Sequence, residues 1–263
     1  MTMLLADTHL HLYSCYNLDR AFSGLLDRLM AADAQVPCLG CLAERAGCDF
    51  YGQLCAGKQL PHNFSLQSAD RRQLILQRKS DGRLLTLLPG RQIIAAERIE
   101  VLALCTDQLF ADGTPAAELI RSIQARNGVP VLPWSPGKWF FQRGKVIEEL
   151  LRRFTPQDFL LGDVSLRPYG WPLPLLMRKA KRLSFQIISG SDPLPFLGEE
   201  EQFGRYASRI ICAEAGLSPD DALRGLLAGK SESASFGHRS SPLELFMRLR
   251  YNAAIRGQIS SFL

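Results

Sequence analysis

Short apolar runs that alternate with amphipathic segments at helical spacing constrain this chain more than any other feature. Met3-Leu4-Leu5-Ala6 opens a strand over 3–10, and Leu25, Leu26, Leu29 and Met30 then share one face of a helix over 18–33. A strand at 38–43 and a helix at 47–57 follow. The middle breaks the rhythm: Phe64 to Ser68, Gln73 to Lys79 and Arg83 to Leu88 read as strands, with Ser80-Asp81-Gly82 as a hairpin turn. Ile93 to Ala96 and Ile99 to Cys105 continue as strand on either side of Glu97-Arg98. Thr114 and Pro115 are placed to cap and open a helix that runs to Arg126. Alternation then resumes, with strands near 129–134, 159–165, 185–190 and 208–213 and helices near 144–154, 173–183, 219–228 and after Pro242. Lys230 to Arg239 reads as an exposed connection. This order predicts an α/β architecture. No linker divides the chain, so residues 1–263 are expected to form one domain.

The chain has 263 residues, 46% of them hydrophobic, which is enough for one substantial core. Its net charge of +5 permits anionic substrates, and no basic run with interleaved aromatics is present, so no nucleic-acid partner is expected. The seven cysteines are odd in number and scattered, with no signal peptide, which predicts a reduced, cytoplasmic setting. No run approaches the ~18 consecutive apolar residues of a membrane span. Nothing in the sequence sets the oligomeric state.

The chemistry concentrates at the end of the first strand, in Asp7-Thr8-His9-Leu10-His11. Side chains alternate along a strand, so Asp7, His9 and His11 point the same way, and two imidazoles at i and i+2 can close on one cation. These are two of only four histidines in the chain. An acid that follows the apolar run Ile187-Ile188-Ser189-Gly190, namely Asp192, is a natural third ligand. Three protein ligands with an open position are typical of a catalytic site, and nitrogen and carboxylate donors suit zinc, manganese or iron(II). Cys38-Leu39-Gly40-Cys41 lacks the second close pair of a zinc ribbon and reads as a pair of structural thiols. Gly137-Lys138 lacks the earlier glycine and the Ser or Thr of a phosphate-binding loop. His62 and His238 sit in polar, turn-rich surroundings, with His62 a remote candidate for an extra ligand. Trp134, Trp139, Phe140 and Phe141 crowd one turn and are expected to pack beneath a loop.

The motif around His9 resembles the opening of the PHP (polymerase and histidinol phosphatase) superfamily of metal-dependent phosphoesterases. Further segments are similar to that family in the same order: Pro89-Gly90-Arg91-Gln92, Val129 to Gly137, and Ser189-Gly190-Ser191-Asp192. The resemblance implies a distorted (β/α)7 TIM-like barrel with its site at the C-terminal strand ends. It also exposes departures. Arg45, Gln92, Ser135 and Leu194 stand where the family has metal ligands, which leaves His9, His11 and Asp192 to hold one divalent ion, with water or the Gln92 carbonyl oxygen completing it. The implied activity is hydrolysis of a small anionic ester, foremost a phosphoester, by a water that the metal activates. Glu44 or Asp163 is the candidate general base, and Asp7 the residue that orients an imidazole from behind. Arg45, Lys138 and Arg167 are the candidate clamps for the substrate anion. Two alternatives stay open: a non-catalytic relative that keeps the fold for binding or assembly, and an amide or lactone hydrolase using the same metal.

Overall fold

The computed structural model describes residues 1–260, with side chains through 255. In chain order the elements are β1 (Thr2–Leu10), α1 (Leu18–Ala32), β2 (Cys38–Leu42), α2 (Phe50–Cys55), β3 (Phe64–Ala69), β4 (Leu74–Arg78), β5 (Leu84–Leu88), β6 (Gly90–Ile94) and β7 (Glu100–Leu104). Then come α3 (Ala116–Ala125), β8 (Val129–Pro133), α4 (Phe141–Arg153), β9 (Leu160–Val164), α5 (Leu175–Arg182) and β10 (Ile187–Gly190). A 3-10 turn (Glu199–Gln202), β11 (Tyr206–Cys212), α6 (Pro219–Leu227), β12 (Ser231–Gly237) and α7 (Pro242–Ser260) complete the chain.

The strands form two sheets. One has seven strands in the order β12-β11-β1-β2-β5-β4-β3, the other five in the order β10-β9-β8-β7-β6. Parallel pairing is confined to β1–β2–β5 and β8–β9–β10; every other neighbour runs antiparallel. The expected (β/α)7 TIM-like barrel is therefore wrong. A closed barrel needs a ladder at every seam, and here the seams are bridged otherwise. Beside β1, the approach of β10 is held by Thr8 Oγ1 donating to Ser189 O (3.0 Å) and by Asp192 N donating to His9 O (3.0 Å). Between β2 and β6 there is one isolated bridge, Glu44 to Arg91.

Period-two alternation builds the interior. Leu4 and Ala6 of β1 pack with Leu39 and Cys41 of β2, Leu102 and Leu104 of β7, Leu160 of β9 and Ile188 of β10, between the two sheets. Leu5 faces the other way, against Phe22, Leu25 and Leu29 of α1. That helix starts where Asn17 accepts a hydrogen bond from Arg20 N, and its apolar stripe is Ala21, Phe22, Leu25, Leu26 and Leu29. The outer face of the five-stranded sheet is covered by Leu119, Ile120 and Ile123 of α3, with Ile147 of α4 and Met177 of α5.

Three local expectations fail, the last of them in part. Residues 230–239 are not a connection but contain β12, whose small polar residues pair along β11. Thr114 does not cap α3: its hydroxyl donates to Ala111 O, while the Glu97 carboxylate accepts from Ala116 N at 3.0 Å. The two cysteines of the C-x-x-C are buried free thiols within β2. Trp134 and Trp139 are buried, whereas Phe140 and Phe141 are exposed. Among the described residues, no helix is long and apolar enough to cross a membrane.

Candidate metal centre

His9, His11 and Asp192 converge, as the alternation in β1 and the position of Asp192 after β10 predict. The pairing of β1 with β2 shifts register between Asp7 and Leu10, an irregularity of the kind that re-aims side chains beside a site. The Nε2 atoms of His9 and His11 are 3.1 Å apart, Asp192 Oδ1 lies 3.7 Å and 3.5 Å from them, and Gln92 Oε1 lies 3.2 Å from His9 Nε2. With metal–ligand bonds of about 2.1 Å, donor atoms are separated by ~3.4 Å in a tetrahedral site and ~3.0 Å for neighbours in an octahedral one. The four measured spacings straddle the tetrahedral value and lie just above the octahedral one, so these donors fit a divalent cation.

Electrostatics point the same way. Burial lowers the His9 pKa, with the His11 charge adding to it, so the ring is neutral and its lone pair free at neutral pH; Asp192, Glu100 and Gln92 oppose this in part. For Asp192, burial raises the pKa, but the His9 charge, the His11 hydrogen bond and the charges of His11 and Lys138 outweigh it and hold the carboxyl far below its usual range. Among the described residues, His9 Nδ1 is buried without a hydrogen-bond partner, so no group behind the ring orients it.

The Asp192 loop is anchored from three sides. Asp7 accepts from Ser191 N (2.9 Å), Ser191 Oγ (2.5 Å) and Gly204 N (2.8 Å). Its pKa is pushed up to about 6 by burial, against the pull of those donors and of His9 N. Asp7 thus holds the Ser191 hydroxyl and the backbone N–H groups of His9, Ser191 and Gly204, and among the described residues it makes no hydrogen bond to an imidazole ring. Tyr16 Oη donates to Leu194 O (2.6 Å), and Leu194 N donates to Glu199 Oε2 (2.9 Å). Glu199 is in turn held by Arg248 of α7 through Nε (2.7 Å) and Nη2 (2.5 Å).

Over the cluster lies a cleft of about 400 Å³ lined by His11, Gln92 and Asp192, with Arg45, Arg98, Lys138 and Arg143 as its cations and Glu100 as a further acid. The remaining sequence candidates divide. Arg45 lines the cleft. Lys138 also does, but is ion-paired to Glu100. Glu44 is turned away: it accepts from Tyr51 N (2.9 Å) and Arg91 Nη1 (2.9 Å), with its pKa raised by burial against those contacts. Asp163 and Arg167 satisfy each other through two hydrogen bonds (2.8 and 2.5 Å), and Tyr206 Oη adds a third to Asp163 (2.8 Å). That network consumes the base and the clamp that the sequence assigned there. The histidine at 62 is exposed, and its backbone N–H donates to Asp19. Sequence reasoning missed the cleft cations Arg98 and Arg143 and, beside the cluster, Glu100. It accepts from Gln92 Nε2 (3.3 Å), which turns the Gln92 oxygen toward His9. Its only signal is a carboxylate opening the strand opposite Gln92.

No family model and no curated protein matches the chain. Solved structures do. PsfC from Pseudomonas syringae PB-5123 is 16% identical, with a TM-score of 0.64 over 97% of this chain and 100% of that one. The lesion-specific endonuclease PfuEndoQ from Pyrococcus furiosus is 11% identical, with a TM-score of 0.50 over 90% of this chain and 59% of that one. An Endonuclease Q complex with a 27-mer duplex bearing an abasic lesion at its active site is 10% identical, with a TM-score of 0.47 over 88% and 58%. At these identities the likeness is one of fold. It still corrects the exclusion of nucleic-acid partners. A lesion-specific endonuclease carries this fold, so the lack of a basic, aromatic-interleaved run does not set this chain apart from enzymes of nucleic acid.

Proposed function

We propose that this chain is a divergent relative of the PHP phosphoesterases and a divalent-metal-dependent hydrolase of an anionic ester, foremost a phosphoester. The observation that carries the reading is the convergence of His9 Nε2, His11 Nε2 and Asp192 Oδ1, with Gln92 Oε1, beneath a cleft with four cationic and two anionic side chains. Bound there, zinc, manganese or iron would supply Lewis acidity and neutralise developing charge. The chain's own residues do the rest. Neutral His9 and anionic Asp192 present lone pairs, and Glu100 holds the Gln92 amide in one orientation. Arg45 receives the substrate anion, and Lys138, bridged to Glu100, adds positive charge beside the cluster. Among the described residues, Glu100 and Asp192 are the only carboxylates that line the cleft; with Asp192 given to the metal, proton transfer falls to Glu100.

The test begins with elemental analysis of protein purified without added metal, followed by manganese and zinc titration. About one ion per chain, lost in His9→Ala, supports the reading. A panel of phosphomonoesters, phosphodiesters (including lesion-bearing duplex DNA), lactones and amides then identifies the bond cleaved. Protein that binds neither ion and is inert on the whole panel would instead be a non-catalytic binding protein.

A further inference from the structure

Arg98 occupies a backbone position that ordinarily belongs to glycine. Between β6 and β7, Ala95 N donates to Ile99 O (2.9 Å) and Arg98 N donates to Ala95 O (2.8 Å). This is a three-residue loop in which a tight turn is followed by a left-handed residue, with φ of 60° at Arg98. Glycine usually fills that place because a Cβ there crowds the backbone. Arginine is a poor residue for this turn, and nothing in the turn's backbone calls for its side chain.

That side chain lines the cleft above the metal cluster. Asp192, with φ of 47°, is a second left-handed non-glycine residue in the same cleft. Two of the cleft's cations are engaged within the chain: Lys138 by Glu100, and Arg143 by Gly137 O at 2.8 Å. Among the described residues, the guanidinium groups of Arg98 and Arg45 have neither a hydrogen bond nor an ion pair. Both residues are exposed, whereas His9 and His11 are buried, so the two arginines stand at the rim and the cluster at the floor.

We infer that Arg98 forms a second oxyanion subsite at the rim of the cleft, separate from the anion that Arg45 receives, and that the ligands of this site carry two acidic groups. One lies toward His9, His11 and Asp192. The other, a carboxylate or phosphate, takes the planar fork of Arg98. The floor half of this assignment rests on the proposed metal site; the rim half rests on the strained turn.

The experiment uses the full chain loaded with manganese and compares the diacids succinate through pimelate with monocarboxylates of equal chain length, by calorimetry. At one chain length the diacid is expected to bind about tenfold more tightly than its monoacid. Arg98→Gly should abolish that preference, while monoacid and manganese affinities stay the same and Tm is equal to or above that of the parent. Arg98→Lys should keep part of the preference. Repeating the series with a terminal phosphate in place of the second carboxylate ranks the two oxyanions. No preference at any length, a preference that survives Arg98→Gly, or a lowered Tm in that variant would overturn the subsite. A chain that binds no manganese yet keeps an Arg98-dependent preference would sink the hydrolase reading alone.

Discussion

Gly190 lies so close to His9 that a Cβ on it would sit 2.5 Å from the His9 backbone nitrogen and 2.6 Å from its Cβ. The strand that delivers Asp192 and the strand that delivers both histidines therefore touch backbone to backbone. Gly190→Ala should force them apart, lowering stability by about 1–3 kcal/mol in urea denaturation and weakening metal binding in the folded fraction. Unchanged affinity for manganese in a well-folded Gly190→Ala protein would count against the seam as the determinant of the site.

Glu100 acts on the cluster through Gln92. Removing it frees the Gln92 amide to rotate and leaves Lys138 without its counter-charge. Glu100→Ala is expected to weaken metal affinity by about tenfold, the lower end for loss of a group that orients a ligand, with little change in Tm. Competition with a chromogenic chelator reads the effect directly.

Arg248 and Glu199 are both buried and paired through two short hydrogen bonds. Arg248→Met strands the Glu199 carboxylate in the interior and should cost about 3 kcal/mol. Because Glu199 also receives Leu194 N, the same variant should loosen the Asp192 loop and lower metal affinity. Denaturation and metal titration on one preparation test both halves.

Asp220 supplies the pH dependence. Burial raises its pKa, but hydrogen bonds from Arg224, Ser218 and Arg72 outweigh that and hold it below its ordinary 3.8. A carboxyl depressed in the folded state adds stability above the unfolded pKa, and that stability is lost as pH falls through the folded value. Asp220→Asn should therefore be less stable than the parent by about 2 kcal/mol at pH ~7, with the gap narrowing below pH ~4. A constant gap across an acid titration of the urea midpoint would refute the assignment.

Local elements were legible because local rules make them. The stripe from Ala21 to Leu29, the 64–88 strands and the His9–His11 pair all follow from residue spacing within a few positions. Asp192 was legible because it is the first acid after a short apolar strand. Sheet closure was not, since it depends on pairings such as β1 with β11 between segments some two hundred residues apart, and an apolar run carries no record of its neighbour's direction. That Glu44, Asp163 and Arg167 do not line the cleft was hidden for a related reason. A carboxylate at a strand end looks the same in sequence whether it meets water or a guanidinium, and here Arg91 and Arg167 had already claimed both acids.

Among the described residues, the strand Ser231–Gly237 pairs only with Tyr206–Cys212, which leaves its far side as the border of the larger sheet. Such borders can template aggregation when they are long, flat and oily. This one is Ser-Glu-Ser-Ala-Ser-Phe-Gly, with little hydrophobic surface to reward a docking chain and a negative charge in its second place. The same polar composition that hid the strand from a sequence reader also guards it against the wrong partner. Engineering that enriches this segment in valine or isoleucine would trade solubility for local strand propensity.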